Sequence, residues 1–106
     1  MSDDVLSRLA ATIKARRGEA ADASYTRQLL DKGPVHCAKK MGEEAVETVI
    51  AGASQSDDAL RAEAADLVYH LLVLLEARNV AWDDVLKVLD QRTAQSGLAE
   101  KASRGR

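Results

Sequence analysis

Five carboxylates in two short clusters carry the chemistry open to this chain. Glu43, Glu44 and Glu47 form the first cluster, and Glu63 and Asp66 form the second. On a helix, Glu44 and Glu47 are i, i+3 and Glu43 and Glu47 are i, i+4, so they are neighbours. Like charges at that spacing cost on the order of a few tenths of a kcal/mol per pair unless something compensates. Glu63 lies one turn before Asp66. Two such pairs on adjacent helices can converge on one divalent cation, which offsets their repulsion. Oxygen-only ligands select Mg²⁺, Mn²⁺ or Ca²⁺ over Zn²⁺. Mg²⁺ keeps waters and recruits phosphate oxygens, so a phosphorylated substrate follows. The competing reading is a solvated face, with Lys39 and Lys40 pairing to Glu43 and Glu44.

The second cluster weighs against the solvated face. Ala64 to Leu75 is apolar nearly all round, and Asp66 is its one formal charge. A helix apolar all round is usually buried. A buried unpaired carboxylate costs several kcal/mol, so Asp66 is expected to meet a cation or a hydrogen-bonding partner. His70, one turn on, is expected to be that hydrogen-bonding partner rather than a metal ligand. Other chemistries fit less well. The Glu-x-x-His pattern of di-iron bundles is absent. His36 and Cys37 point about 100° apart on a helix, which disfavours a zinc pair. No Walker-A or G-x-G-x-x-G segment is present.

The elements that must position these groups are helical. Val5, Leu6, Leu9, Ala10 and Ile13 give an i, i+3/i+4 stripe, which predicts a helix over about 3–17. Ser24 reads as the N-cap of a short helix, Tyr25 to Asp31, ended by Gly33. Pro34 suits a first helical position, and a long helix runs from it to about 53. On that helix Val35, Ala38, Gly42, Ala45, Val46, Val49, Ile50 and Ala53 gather on one side. Lys40, Glu43, Glu44 and Glu47 gather on another. Asp57 or Asp58 can cap the next helix, which runs to about 78, with Asn79 as its stop. A last helix spans about 82–95 and ends at Gly97. No β alternation is visible. The predicted fold is all-α: two long helices joined as an antiparallel hairpin, completed as a helix bundle by dimerisation. Helices 3–17 and 82–95 of the same chain are the competing cover.

Length and charge narrow the classes further. The chain has 106 residues, room for a single domain, 1–106, with a basic tail over about 96–106. It carries 15 Lys+Arg against 17 Asp+Glu, a balance that argues against a generic nucleic-acid binder. Residues 92–106 are +3, so residues 1–91 carry −5. A single cysteine, Cys37, excludes an internal disulfide and suits a reducing cytoplasm. The acidic N-terminus does not read as a signal peptide. The longest apolar stretch, 67–75, falls far short of the ~20 residues of a membrane span.

Glu43-Glu44-x-x-Glu47, a gap of 15 residues, then Glu63-x-x-Asp66 resembles the EExxE…ExxD signature of the all-α nucleotide pyrophosphohydrolases. Further segments are similar to the phosphoribosyl-ATP pyrophosphohydrolase family. They are Ser24-Tyr25-Thr26 with Leu29-Leu30 and Gly33; Lys40 before Gly42-Glu43-Glu44-Ala45; Asp66-Leu67-x-Tyr69-His70; and Arg92, Ser96-Gly97 and Glu100 to Arg104. The resemblance spans about residues 24–104. At this length the chain resembles the stand-alone form, without a fused cyclohydrolase.

The resemblance implies Mg²⁺-dependent hydrolysis of 1-(5-phosphoribosyl)-ATP to 1-(5-phosphoribosyl)-AMP and pyrophosphate, the second step of histidine biosynthesis. Carried over residue by residue, it implies Glu44, Glu47, Glu63 and Asp66 as ligands of Mg²⁺, with Mn²⁺ as a substitute. Glu43 is expected either to support the ligands from outside the metal sphere or to orient a water. Lys40, Arg92, Lys101 and Arg104 are expected to bind the nucleotide substrate. It also implies a homodimer. Two alternatives stand beside it. One is a housekeeping nucleoside triphosphate pyrophosphatase of the same superfamily. The other is a non-enzymatic helical dimerisation module, against which Asp66 in its apolar helix speaks.

Overall fold

The structure is a computed structural model and describes residues 4–94. It contains five α-helices and, among the described residues, no strand. These are α1 (Val5–Arg16), α2 (Tyr25–Lys32), α3 (Pro34–Ser54), α4 (Asp57–Ala77) and α5 (Trp82–Thr93). The all-α expectation holds, and each expected helix is present within a few residues of its expected ends. The Gly97 stop lies outside the described residues.

Local chemistry sets the boundaries. The Asp4 carboxylate accepts from the Ser7 amide at 2.7 Å and starts α1. The Ser24 hydroxyl accepts from the Arg27 amide at 3.1 Å and starts α2. Gly33 has φ 92°, a conformation open to glycine at little cost. It lets α2 turn directly into α3, whose first residue is Pro34. One expectation is corrected at α4. Ser56, not Asp57 or Asp58, is its N-cap, with its hydroxyl accepting from the Ala59 amide at 3.1 Å. The two aspartates sit in the first turn, where negative charge suits the helix dipole. Asn79, at φ 58°, ends the helix in the left-handed conformation typical of such stops.

Helices α3 and α4, each of 21 residues, are joined through Gln55 and Ser56 alone and form the expected antiparallel hairpin. The core is small: Ile13 of α1, Leu29 of α2, Cys37 of α3, and Leu72 and Val73 of α4. Helix α1 therefore covers one side of α4 in the same chain, as the competing reading foresaw. Helix α5 has no buried residue.

The face that α3 turns toward α4 differs from its valine-rich stripe. Its buried residues are Cys37 and Ala51, with Glu44 and Thr48 half-buried between them. Cys37, Glu44 and Ala51 are seven residues apart and stack along one line of the helix. Val35, Val46, Val49 and Ile50, on the opposite side, are 86%, 59%, 69% and 48% exposed. The hairpin seam thus runs along the carboxylate side, and no described residue covers the apolar side of α3.

Candidate metal centre

The seam places the two acidic clusters face to face. Oxygen atoms of Glu44, Glu63 and Asp66 all lie within 4.8 Å of one another. Glu47 stands next to this group, close enough to Glu63 to help raise its pKa. Three of the four expected metal ligands are thus brought together by two helices and one short turn, with the exposed Glu47 beside Glu63. Thr48 ties the helices at this point. Its hydroxyl lies 2.8 Å from the Glu44 carbonyl and 3.1 Å from the Glu63 carbonyl. It is the one inter-helix hydrogen-bonding group at the cluster that the residue pattern did not single out. A lone threonine in a helix carries no signal that separates it from any other.

The electrostatics are those of a site short of positive charge. Glu63 has its pKa raised, first by burial, then by Glu47 beside it and by the charges of Glu44 and Asp66. Glu44 Oε1 and Glu63 Oε1 are buried without a hydrogen-bond partner. Buried carboxylate oxygens normally find donors, so two orphaned acceptors in one cluster call for a cation. The donor set is all oxygen, which fits Mg²⁺ or Mn²⁺ better than Zn²⁺.

Other expectations change. Asp66 is exposed, so it is not the buried charge that its apolar neighbours suggested. It stands at the solvent edge of the cluster because the apolar residues around it face other directions on the helix. His70 is buried, and its Nδ1 has no hydrogen-bond partner, so the expected bond to Asp66 is not made at that nitrogen. The imidazole packs edge-on against Tyr69 and Tyr25 instead, with centroids 5.0 and 6.4 Å away. Burial lowers its pKa, opposed chiefly by the charge of Glu44. Glu43 turns out to solvent and pairs with Lys40 at 3.1 Å. That bond lowers the Glu43 pKa and raises that of Lys40. The solvated-face reading is therefore right for Glu43 and wrong for Glu44.

The family model described as phosphoribosyl-ATP pyrophosphohydrolase matches residues 6–93 of this sequence. The chain belongs to this family. A phosphoribosyl-ATP pyrophosphatase of Nitrobacter winogradskyi is 61% identical over 98 residues, 92% of this chain and 84% of that protein. Phosphoribosyl-ATP pyrophosphatase 1 of Rhodopseudomonas palustris is 53% identical over 106 residues, all of this chain and 99% of its own. The phosphoribosyl-ATP pyrophosphatase of Caulobacter vibrioides is 57% identical over 101 residues, covering 95% of this chain and 94% of its own. The stretch matched to the phosphoribosyl-ATP pyrophosphohydrolase family contains all five carboxylates, Lys40 and Arg92. Arg92 lies in the last turn of α5. Lys101 and Arg104 lie outside the described residues.

Proposed function

We propose that this protein hydrolyses 1-(5-phosphoribosyl)-ATP to 1-(5-phosphoribosyl)-AMP and pyrophosphate, the second step of histidine biosynthesis. The observation that carries the reading is the convergence of Glu44, Glu63 and Asp66 within 4.8 Å, on a chain of the matching family. The family match favours this substrate over the housekeeping triphosphates. The orphaned buried carboxylate oxygens weigh against a purely structural dimerisation module.

Glu44, Glu47, Glu63 and Asp66 hold Mg²⁺, or Mn²⁺ in its place. A divalent cation in such a site neutralises phosphate charge and supplies an activated water. The carboxylates fix its position from two rigid helices, so little reorganisation is needed when substrate arrives. Glu43 orients water at the rim. Lys40, tied to Glu43, is placed to exchange that partner for a substrate phosphate. Arg92, Lys101 and Arg104 bind phosphate groups from the C-terminal side.

We infer a homodimer. Val35, Val46, Val49 and Ile50 on α3, with Val88 and Leu89 on α5, are exposed in the single chain. A second copy that covers them completes the bundle that one hairpin begins. The protein works in the cytoplasm, in keeping with its free, buried Cys37. No helix among the described residues is long and apolar enough to cross a membrane.

The test is an assay of pyrophosphate release from phosphoribosyl-ATP beside ordinary nucleoside triphosphates, with and without Mg²⁺. Preferred turnover of phosphoribosyl-ATP that is lost on chelation is expected. Orthophosphate as product, or full activity in excess EDTA, overturns the reading.

A further inference from the structure

The segment Ser24-Tyr25-Thr26 opens α2, and its three side chains are treated differently. Ser24 is buried and caps the helix through its hydroxyl. Thr26 is buried and hydrogen-bonds the Tyr69 hydroxyl. Tyr25, the largest and most apolar of the three, is 54% exposed. Folding explains the two small residues, while the ring between them makes one edge contact with His70 and leaves over half its surface open.

The chain has three aromatic residues, Tyr25, Tyr69 and Trp82. Tyr69 is held by Thr26 and by His70. Trp82 lines a separate cavity of about 290 Å³ between α1 and α4. Tyr25 is thus the aromatic whose ring stays available, and it stands beside the acidic centre. Its ring meets His70 edge-on at 87°, and His70 lies one turn after Asp66 on α4. The Lys40 ammonium feels the Tyr25 phenol together with Glu43 and Glu44. The capped, hydrogen-bonded flanks hold the Tyr25 backbone in place, and the edge contact with His70 is what the ring itself meets.

We propose that Tyr25 is the stacking surface for the purine ring of the substrate, placed beside the carboxylate cluster and backed by His70. This rests on the proposed function and names the group that holds the base. A base offers an apolar face that stacks on an exposed aromatic side chain, while its phosphates go to the cation site. Tyr25 positions substrate and does no bond chemistry.

The experiment compares wild type, Tyr25→Phe and Tyr25→Ala on phosphoribosyl-ATP. Stacking on an aromatic ring carries enough energy that its loss raises KM by about tenfold or more. The expected result is that rise in Tyr25→Ala, with kcat within about threefold and Tyr25→Phe close to wild type. Unchanged Mn²⁺ binding and unchanged oligomeric state accompany it. A KM within twofold of wild type overturns the proposal. So does conversion of the oligomer to monomer by Tyr25→Ala, which would make the ring an interface residue.

Calorimetry with AMP and ribose 5-phosphate, in Mg²⁺, separates this proposal from the reaction itself. Wild type is expected to prefer AMP, and Tyr25→Ala to lose that preference. Lack of phosphoribosyl-ATP hydrolysis in wild type would sink the proposed function alone. Lack of a Tyr25-dependent preference for AMP would sink the stacking alone.

Discussion

Thr48 on α3 lies within hydrogen-bond distance of the backbone carbonyl of Glu63 on α4, at 3.1 Å. The same hydroxyl lies 2.8 Å from the carbonyl of Glu44. One side chain thus sits between the two backbones that carry the acidic cluster, its single proton shared between their carbonyls. Thr48→Val keeps the shape and removes the hydroxyl, at an expected cost of about 0.5–1.5 kcal/mol. Thermal melts should show a modest loss, and Mn²⁺ titration should show weaker binding. Thr48→Ser should restore both. A valine variant with unaltered Mn²⁺ affinity would show that the bridge shapes the fold without tuning the site.

Removing one charge from the cluster separates metal binding from folding. Asp66→Asn and Glu63→Gln are expected to lower kcat/KM on the order of 100-fold or more, since even supporting residues of metal sites cost 10–100-fold. The metal-free forms should melt no lower than wild type, because each substitution relieves repulsion between carboxylates. Activity assays and apo melting curves are the measurements. An active Asp66→Asn enzyme would remove Asp66 from the ligand set.

The metal-free protein should show a pH signature of Glu63. Its folded pKa is raised above the ordinary 4.5 by burial and by Glu47, Glu44 and Asp66. The folded state therefore keeps this proton to higher pH than the unfolded chain does. The stabilisation is complete below about 4.5 and is lost as pH rises through the folded value. His70 acts in the opposite sense. Its lowered pKa means the unfolded chain takes a proton that the folded one refuses, so stability falls as pH drops below about 6.5. Melting curves of wild type and Glu63→Gln across pH 4–8 isolate the first effect as their difference. A difference that does not change with pH would contradict the crowding of Glu63.

A charge on the uncovered side of α3 tests the dimer. Val49 is 69% exposed in the single chain. Val49→Glu should leave the hairpin folded, by circular dichroism, and shift the mass in solution from dimer to monomer. If the variant remains a dimer by light scattering, the valine stripe is not the interface.

The helices were legible because their signals are local. Ser24 and Pro34 mark helix starts, Asn79 marks a stop, and the stripe of Leu6, Leu9 and Ile13 marks a face. The acidic centre was legible because its residues recur at helical spacing on both sides of one short turn. What was not legible is which side of α3 meets α4. The stripe of Val35, Val46 and Val49 reads as a buried face, yet it is exposed among the described residues. Periodicity reports that a side is apolar and does not say which surface covers it. Asp66 was misjudged for a related reason, since apolar neighbours on a helix do not bury a side chain that points between them.

The two-residue joint between α3 and α4 makes the distance along the chain from Glu47 to Glu63 act as a ruler. An inserted or deleted residue within either helical segment would rotate everything beyond it by about 100°. One pair of carboxylates would then swing out of reach of the other. The 15 residues of that interval are therefore constrained by their number as well as by their chemistry. Changes of chain length in this protein have somewhere safer to go, such as the segment between α1 and α2, where no ligand depends on the count.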